Sequence, residues 1–261
     1  MKTILVTGSD GFIGSNLIAH LQERTDCNIL TFDKNNNFEE LSRGISKADY
    51  IYHLAGANRP KEEDEFFRTN VGLTKKIITE IKKSKKKPIL IISSSIQAKL
   101  DNPYGTSKRN AENELLNYES ETGLPIFIFR LANVFGKWCR PYYNSVVATF
   151  CKQVSTGEEP SVNDPKTELT LVYIDDVVKS FLSVLDKEYH RKSGTFYSIE
   201  PTFNIKLGDL AERLISYERY LKSCQIPDFS DDFNKKLFST YLSYKEPANL
   251  KNVVQKKIDE R

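Results

Sequence analysis

Hydrophobic positions along this chain fall into short, nearly continuous runs separated by amphipathic stretches. Lys2 to Thr7, Asn28 to Phe32, Ala48 to Leu54, Ile89 to Ile92, Pro125 to Leu131 and Glu168 to Ile174 are rich in Ile, Leu, Val and Phe. They alternate little, which is the pattern of strands covered on both faces. Between them, apolar residues recur at helical spacing, as at Ile13, Leu17, Ile18 and Leu21. Helices are expected over Ser15 to Glu23, Phe38 to Ile45, Glu62 to Ser84, Lys108 to Tyr118, Asn144 to Val154 and Asp175 to Leu185. Gly194 to Ile199 reads as a short strand and Leu207 to Tyr217 as an amphipathic helix. After Cys224 the chain turns polar and aromatic (Phe229, Phe233, Phe238, Tyr241, Tyr244), periodicity fades, and the end at Lys256 to Arg261 is expected to fray. Strands alternating with helices predict an α/β fold with a doubly wound parallel sheet.

Composition narrows this little. The 261 residues suit one large α/β domain, or a domain with a small satellite. Hydrophobic residues make up 39% and charged residues 28%, an ordinary globular balance. A net charge of +3 is too small to argue for a nucleic-acid partner. The densest basic cluster, Lys82, Lys83, Lys85, Lys86 and Lys87, reads as a solvated helix end with cations at its negative pole. The four cysteines show no C-x-x-C spacing, which argues against a metal site or a disulfide framework. Met1 is followed at once by Lys2 and a strand, with no leader pattern, and no apolar run reaches the ~18 residues of a membrane helix. The expectation is a cytoplasmic protein with no membrane partner.

The first strand runs into Thr7-Gly8-Ser9-Asp10-Gly11-Phe12-Ile13-Gly14 and then a helix. In such a turn the first glycine permits the tight bend, the second lets the backbone approach a pyrophosphate, and the third lets helix and strand pack closely. The helix N-terminus offers free N–H groups and a positive dipole end to the phosphates. A second strand ends at Asp33, near the interval at which an acid takes the ribose hydroxyls of a dinucleotide. The third strand opens onto Ala55-Gly56-Ala57, small residues that let a cofactor lie against the backbone.

The fourth strand ends in Ser93-Ser94-Ser95. Asn102 can cap a helix and Pro103 suits its first position. Tyr104 and Lys108 are then i, i+4 neighbours on one face. A phenol beside an ammonium, with a serine hydroxyl opposite, can move a proton to or from an oxygen. The ammonium is expected to lower the tyrosine pKa from about 10, and Ser95 to orient the reacting oxygen. Gly8, Asp33, Gly56, Ser95 and Asn133 all follow strand ends, where ligands of such sheets sit.

Gly8-x-x-Gly11-x-x-Gly14 with Ser95, Tyr104 and Lys108 resembles the extended short-chain dehydrogenase/reductase family of nucleotide-sugar epimerases, dehydratases and reductases. His53-Leu54-Ala55-Gly56, Asn70, Arg130-x-x-Asn133-x-x-Gly136 and Tyr173-Ile174-Asp175-Asp176 match as well. The resemblance implies a Rossmann-type core over residues 1–132, with a strand and helix near 168–187 returning to it. A small C-terminal substrate-binding subdomain would occupy mainly 133–245. It also implies a nicotinamide cofactor touching Phe12, Ile13, Lys34, Leu54 and Asn70 besides the glycines, Asp33, Tyr104 and Lys108, and a homodimer.

A narrower likeness joins the chain to bacterial capsular-polysaccharide enzymes, carried by Ser93-Ser94-Ser95-Ile96-Gln97-Ala98, Asp101-Asn102-Pro103-Tyr104-Gly105, Phe135-Gly136-Lys137-Trp138-Cys139-Arg140-Pro141 with Tyr143-Asn144-Ser145, and Ser239-Thr240-Tyr241-Leu242-Ser243-Tyr244. It implies NADPH-dependent reduction of a UDP-linked 4-keto-6-deoxy-N-acetylhexosamine to the 6-deoxytalose sugar, on the route to N-acetylfucosamine. Asn133 would then help hold the UDP phosphates, with Arg140 and Asn144 near the sugar nucleotide. Those enzymes continue into a zinc-binding cupin domain, so residues 246–261 are a tail or the start of one. Asp33, with Asp10 also acidic, repels a ribose phosphate and favours NAD(H), against the NADP(H) of the resemblance; Lys34 could still pair that phosphate. The short step from Ser95 to Tyr104 suits the capsular subgroup. Dehydratases of this fold place an Asp-Glu pair just after the catalytic hydroxyl, where this chain has Ile96 and Gln97, neither able to shuttle a proton. An epimerase with tightly bound NAD is the alternative reaction, and a nucleotide-binding scaffold without turnover the third reading.

Overall fold

A computed structural model describes residues 1–60, 62–186 and 196–245. The tail over 246–261 and the first residues of the strand expected at Gly194 lie outside the described residues. The chain forms two compact units, one of Met1–Ala132 with Asp175–Glu200, the other of Asn133–Ile174 with the chain from Pro201 onward.

In the first unit the elements run β1 (Lys2–Thr7), α1 (Phe12–Gln22), β2 (Cys27–Phe32), α2 (Phe38–Lys47), β3 (Tyr50–His53) and α3 (Asp64–Phe66). A π-helical segment (Phe67–Gly72) leads into α4 (Leu73–Lys83), followed by β4 (Ile89–Ser95), a 3₁₀ turn (Ile96–Lys99), α5 (Pro103–Thr122) and β5 (Ile126–Leu131). The six-stranded sheet has the order β2-β1-β3-β4-β5-β8, β8 being Phe196–Tyr197, and every pairing is parallel. One face carries Leu5, Ile51, Leu90, Ile92 and Ile128 and packs with Leu41, Ile45, Ile77, Ile81 and Leu115 of α2, α4 and α5. On the other face lie Tyr52 and Phe129, which meet Phe181 of α7 (Ile174–Leu185) at ring-centroid distances of 5.9 and 5.1 Å. A strand order that reverses beside β1 creates the crevice in which such sheets bind ligands.

Local signals set the helix ends. Asn37 and Glu40 form a capping box on α2. Asn102 Oδ1 accepts from Gly105 N at 2.8 Å, and Pro103 opens α5. Gly123 closes α5 with φ of 66°, a conformation open to glycine at little cost. No helix among the described residues is long and apolar enough to cross a membrane. In the basic cluster, Lys82 pairs with Glu121, Lys83 with Glu80 and Lys86 with Asp49, while Lys87 donates to the carbonyls of Ile81, Lys82 and Ser84.

The second unit holds β6 (Asn133–Phe135), α6 (Val146–Thr156), β7 (Glu168–Tyr173), β9 (Thr202–Lys206), α8 (Leu207–Ser223) and α9 (Asp232–Leu242). Its sheet has the order β6-β7-β9, with β6 parallel and β9 antiparallel to β7. Phe135, Phe150, Cys151, Leu210, Leu214, Tyr217, Phe233, Leu237 and Tyr241 form its core.

Three expectations change. The strand at 168–173 does not return to the parallel sheet: it is the centre of the second sheet, and only the helix after it belongs to the first unit. An apolar run shows that a strand is covered, not by which sheet. The helix expected over Glu62 to Ser84 is interrupted by the π segment at Phe67–Gly72. Between Cys224 and Lys245 the chain forms a further helix, with Asp231 capping α9 through Phe233 N at 3.0 Å and Phe233, Leu237 and Tyr241 buried one helical turn apart.

Candidate active site

The glycine turn is built without slack. Gly8 has φ of 72°, and a Cβ there would lie 2.6 Å from Ala55 N, so β1 and β3 deliver their loops into contact. A Cβ on Gly14 would stand 2.1 Å from Gly8 O, and Gly11 N donates to that same carbonyl at 3.1 Å. Gly11, the N-cap of α1, makes no side-chain cap, so the first-turn N–H groups of Phe12 and Ile13 stay available to an anion. Asp33, at the end of β2, accepts from Asp10 N at 2.9 Å and from Lys34 N at 2.8 Å, which fixes its carboxylate beside the turn. Lys34 itself is exposed. These residues fit the adenosine end of a nicotinamide dinucleotide.

Leu54, Ala55 and Gly56 follow β3. A Cβ on Gly56 would come within 2.9 Å of Asn70 Oδ1 and 3.1 Å of Lys108 Nζ. Asn70 sits in the π segment, 3% exposed. Its Nδ2 donates to Ala57 O at 3.0 Å and Ser107 Oγ at 2.9 Å, and its Oδ1 accepts from Ala57 N at 2.9 Å. Asn70 therefore spends both amide hydrogens inside the protein, holding the turn after β3. Behind it, Thr74 Oγ1 donates to Asn70 O at 2.7 Å, so toward His53 Nε2 (3.1 Å) that hydroxyl can only accept. His53 is then the Nε2–H tautomer, with Nδ1 accepting from Thr7 Oγ1 at 2.8 Å. Burial, aided by the nearby charge of Lys108, pushes the His53 pKa down to about 3.

Ser95, Tyr104 and Lys108 are set by β4 and α5. Ser95 Oγ accepts from Gln97 N at 3.1 Å, capping the 3₁₀ turn and leaving the hydroxyl proton to donate. The short link to Tyr104 is pinned by Arg109, which donates to Ala98 O (3.2 Å), Leu100 O (3.4 Å) and Asp101 (2.9 Å). Gly105 fits because a Cβ there would lie 2.2 Å from Gln97 O. Tyr104 packs its ring against Phe66 at 5.7 Å. Lys108 Nζ lies 5.9 Å from the Tyr104 ring centroid and donates to Ser93 O at 3.3 Å.

The electrostatics differ from the expectation. Burial holds the Tyr104 pKa above the ordinary phenol value, with the Ser95 hydroxyl pulling the other way. The Lys108 ammonium does not bring it below that value, as the sequence led one to expect. Burial instead lowers Lys108 to about 8, and Glu112 acts in the opposite sense. Removing the ammonium from water costs more than sequence spacing can register.

In the second unit, Asn133 is exposed on β6, with Nδ2 donating to Thr170 O at 3.3 Å. Arg140 is exposed with its guanidinium 5.6 Å from the Tyr143 ring, and Asn144 is exposed just before Ser145, the N-cap of α6. Two neighbours were given no site role from the sequence. Trp138 and Tyr142 are 57% and 59% exposed and hold φ of 68° and 58°, positions that cost non-glycine residues backbone energy. Tyr244 braces this loop by donating to Cys139 O.

Glycine turn, β3 turn and serine–tyrosine–lysine set together define a dinucleotide-dependent site. The chain belongs to the NAD dependent epimerase/dehydratase family, which residues 4–199 match. It is 41% identical over 241 residues to the UDP-2-acetamido-2,6-beta-L-arabino-hexul-4-ose reductase of Pseudomonas aeruginosa, covering 92% of this chain and 64% of that protein. The capsular polysaccharide assembling protein CapF of Staphylococcus aureus superposes with a TM-score of 0.84 at 36% identity, over 95% of this chain and 66% of CapF. The chain thus spans a little under two thirds of the length of both. A UDP-glucuronic acid 4-epimerase from Bacillus cereus, in complex with UDP-glucuronic acid and NAD, shares the fold at a TM-score of 0.78 and 18% identity, over 93% of this chain and 98% of that one.

Proposed function

We propose that the chain is an NAD(P)H-dependent reductase of a UDP-linked 4-keto-6-deoxy-N-acetylhexosamine, giving the 6-deoxytalose sugar nucleotide. The observation that carries this is the state of Tyr104. A phenol held above its ordinary pKa is a protonated acid near neutrality, the form a carbonyl reduction consumes. Ser95, its oxygen already capping Gln97 N, donates its hydrogen to the substrate carbonyl oxygen and holds that oxygen against Tyr104. As negative charge develops on the oxygen, Tyr104 gives it a proton, and the nearby ammonium of Lys108 stabilises the phenolate left behind. When bound, the reduced nicotinamide supplies the hydride. Ile96 and Gln97 offer no acid–base pair for eliminating water, which favours reduction over dehydration. The name of the P. aeruginosa relative supports the substrate class, and that of the S. aureus protein a place in capsule assembly.

Asn133, Arg140 and Asn144 would bind the sugar nucleotide. Asp33, fixed beside the glycine turn, favours NADH over NADPH by repelling a 2′-phosphate. A cytoplasmic homodimer belongs to the same reading, and the mass in solution by light scattering tests the dimer.

The test mixes protein, NADH or NADPH and the UDP-linked 4-keto sugar and follows absorbance of the reduced cofactor. One equivalent of cofactor should be oxidised per sugar reduced, and Tyr104→Phe should lose at least a hundredfold in kcat. Retained activity in that variant overturns the assignment of the acid. Isomerised sugar without net cofactor oxidation would identify a 4-epimerase instead.

A further inference from the structure

Glu112 is 1% exposed within α5. Its Oε1 accepts from Ser94 Oγ at 2.6 Å and Arg130 Nε at 2.9 Å, and its Oε2 from Arg130 Nη2 at 2.7 Å. The Arg130 guanidinium lies 3.6 Å from the centre of the Phe196 ring. A buried ion pair of this kind is often replaceable by packed apolar residues without loss of stability, so folding alone gives no reason for the charge. Its neighbourhood does. One helical turn before Glu112 stands Lys108, and both line an internal cavity of about 10 Å³ with His53, Asn70, Thr74, Ser93 and Ser94. That is about the space of one water, walled by Ala55, Ile92 and Ala111 as well as these polar groups.

We infer that Glu112 is a positioning residue for Lys108: it is the anion that keeps this desolvated ammonium charged over the working pH range, while Arg130 and Ser94 fix the carboxylate in place. The inference rests on the role given to Lys108 in the proposed reduction. The titratable groups facing Lys108 are His53 from β3 and Tyr104 and Glu112 from α5, and Arg130 of β5 stands behind Glu112. His53 is a neutral imidazole and Tyr104 a neutral phenol, so Glu112 is the anion among them. Burial alone drives the lysine toward neutrality, and Glu112 is what opposes it.

Two variants separate this role from a structural one. Glu112→Gln keeps the shape but removes the charge and strands the Arg130 cation. Glu112→Gln/Arg130→Gln removes both charges and should recover much of the lost thermal stability. The readouts are the pH dependence of kcat/KM for keto-sugar reduction and the titration of Lys108 followed by NMR in cofactor-loaded protein carrying ¹³Cε-lysine, with Lys108→Met to assign the signal. In both variants the alkaline limb and the Lys108 midpoint should fall together by about one pH unit or more, the effect of losing an adjacent opposite charge. A double variant whose limb returns to the wild-type position along with its stability overturns the inference, as does an unchanged Lys108 midpoint in Glu112→Gln. Should the wild-type chain reduce no keto sugar, the proposed function fails while the NMR midpoint still decides the role of Glu112.

Discussion

His53 makes the stability of the first unit sensitive to acid in a way that can be calculated. Its ring is buried between Thr7 and Thr74, and its folded pKa is about 3 against 6.5 for the free side chain. A folded pKa depressed in this way means that the unfolded chain binds the proton more readily. Stability therefore falls as pH drops below about 6.5 and goes on falling until about 3. With those two values, a change from pH 7 to pH 5 costs about 2 kcal/mol. Urea unfolding of wild type and His53→Gln at both pH values isolates the term, because other groups titrate alike in the two proteins. The variant will be less stable at pH 7, having lost two hydrogen bonds. The wild type should nevertheless lose about 2 kcal/mol more than the variant on going to pH 5. Equal losses in the two proteins would refute the reasoning and place a protonated or solvated imidazole at this position.

Two further outcomes follow from the binding residues. Asp33→Ser should raise the ratio of kcat/KM for NADPH over NADH by about tenfold, a change of about 1.4 kcal/mol; an unchanged ratio would leave Asp33 without a part in cofactor choice. Trp138 is the single tryptophan of the chain, so its fluorescence reports directly on the loop from Gly136 to Asn144. UDP should quench it saturably, and Arg140→Ala should weaken that binding about tenfold through loss of a charge-assisted hydrogen bond; a linear, unsaturable response would count against the loop as the UDP contact.

The parallel sheet was legible because β1, β3, β4 and β5 are covered on both faces and write nearly continuous apolar runs, while β2, at the edge, still carries Ile29, Leu30 and Phe32. β8 fell inside the short strand expected over Gly194 to Ile199, whereas β6, hidden inside Asn133-Val134-Phe135-Gly136, is too short to show a period. α9 was present as Phe233, Leu237 and Tyr241, but the lysines and polar residues between them obscured the spacing. The π segment has no sequence signature here, since its widened turn changes the phase of a helix without changing its composition. Tyr104 and Lys108 were readable as a pair on one helix face, as Asn102 and Pro103 foretold. Their proton affinities were not, because spacing reports proximity and says nothing of how much water is removed. The same limit hid Glu112, which in sequence is one acid among many on a polar helix.

The course of the chain between the two units bears on how it can be made and cut. The backbone passes from one to the other at Ala132–Asn133, again at Ile174–Asp175, and a third time at Glu200–Pro201. Phe181, which receives the Tyr52 hydroxyl on its carbonyl at 2.8 Å and packs against Phe129, is synthesised long after both. During translation, the sheet formed by the first 131 residues must wait, with Tyr52 and Phe129 uncovered, until α7 leaves the ribosome. A fragment ending at Ala132 would carry that uncovered face permanently and should aggregate. No single proteolytic cut can release either unit intact, and grafting the second unit onto another scaffold would require moving two separate stretches of gene.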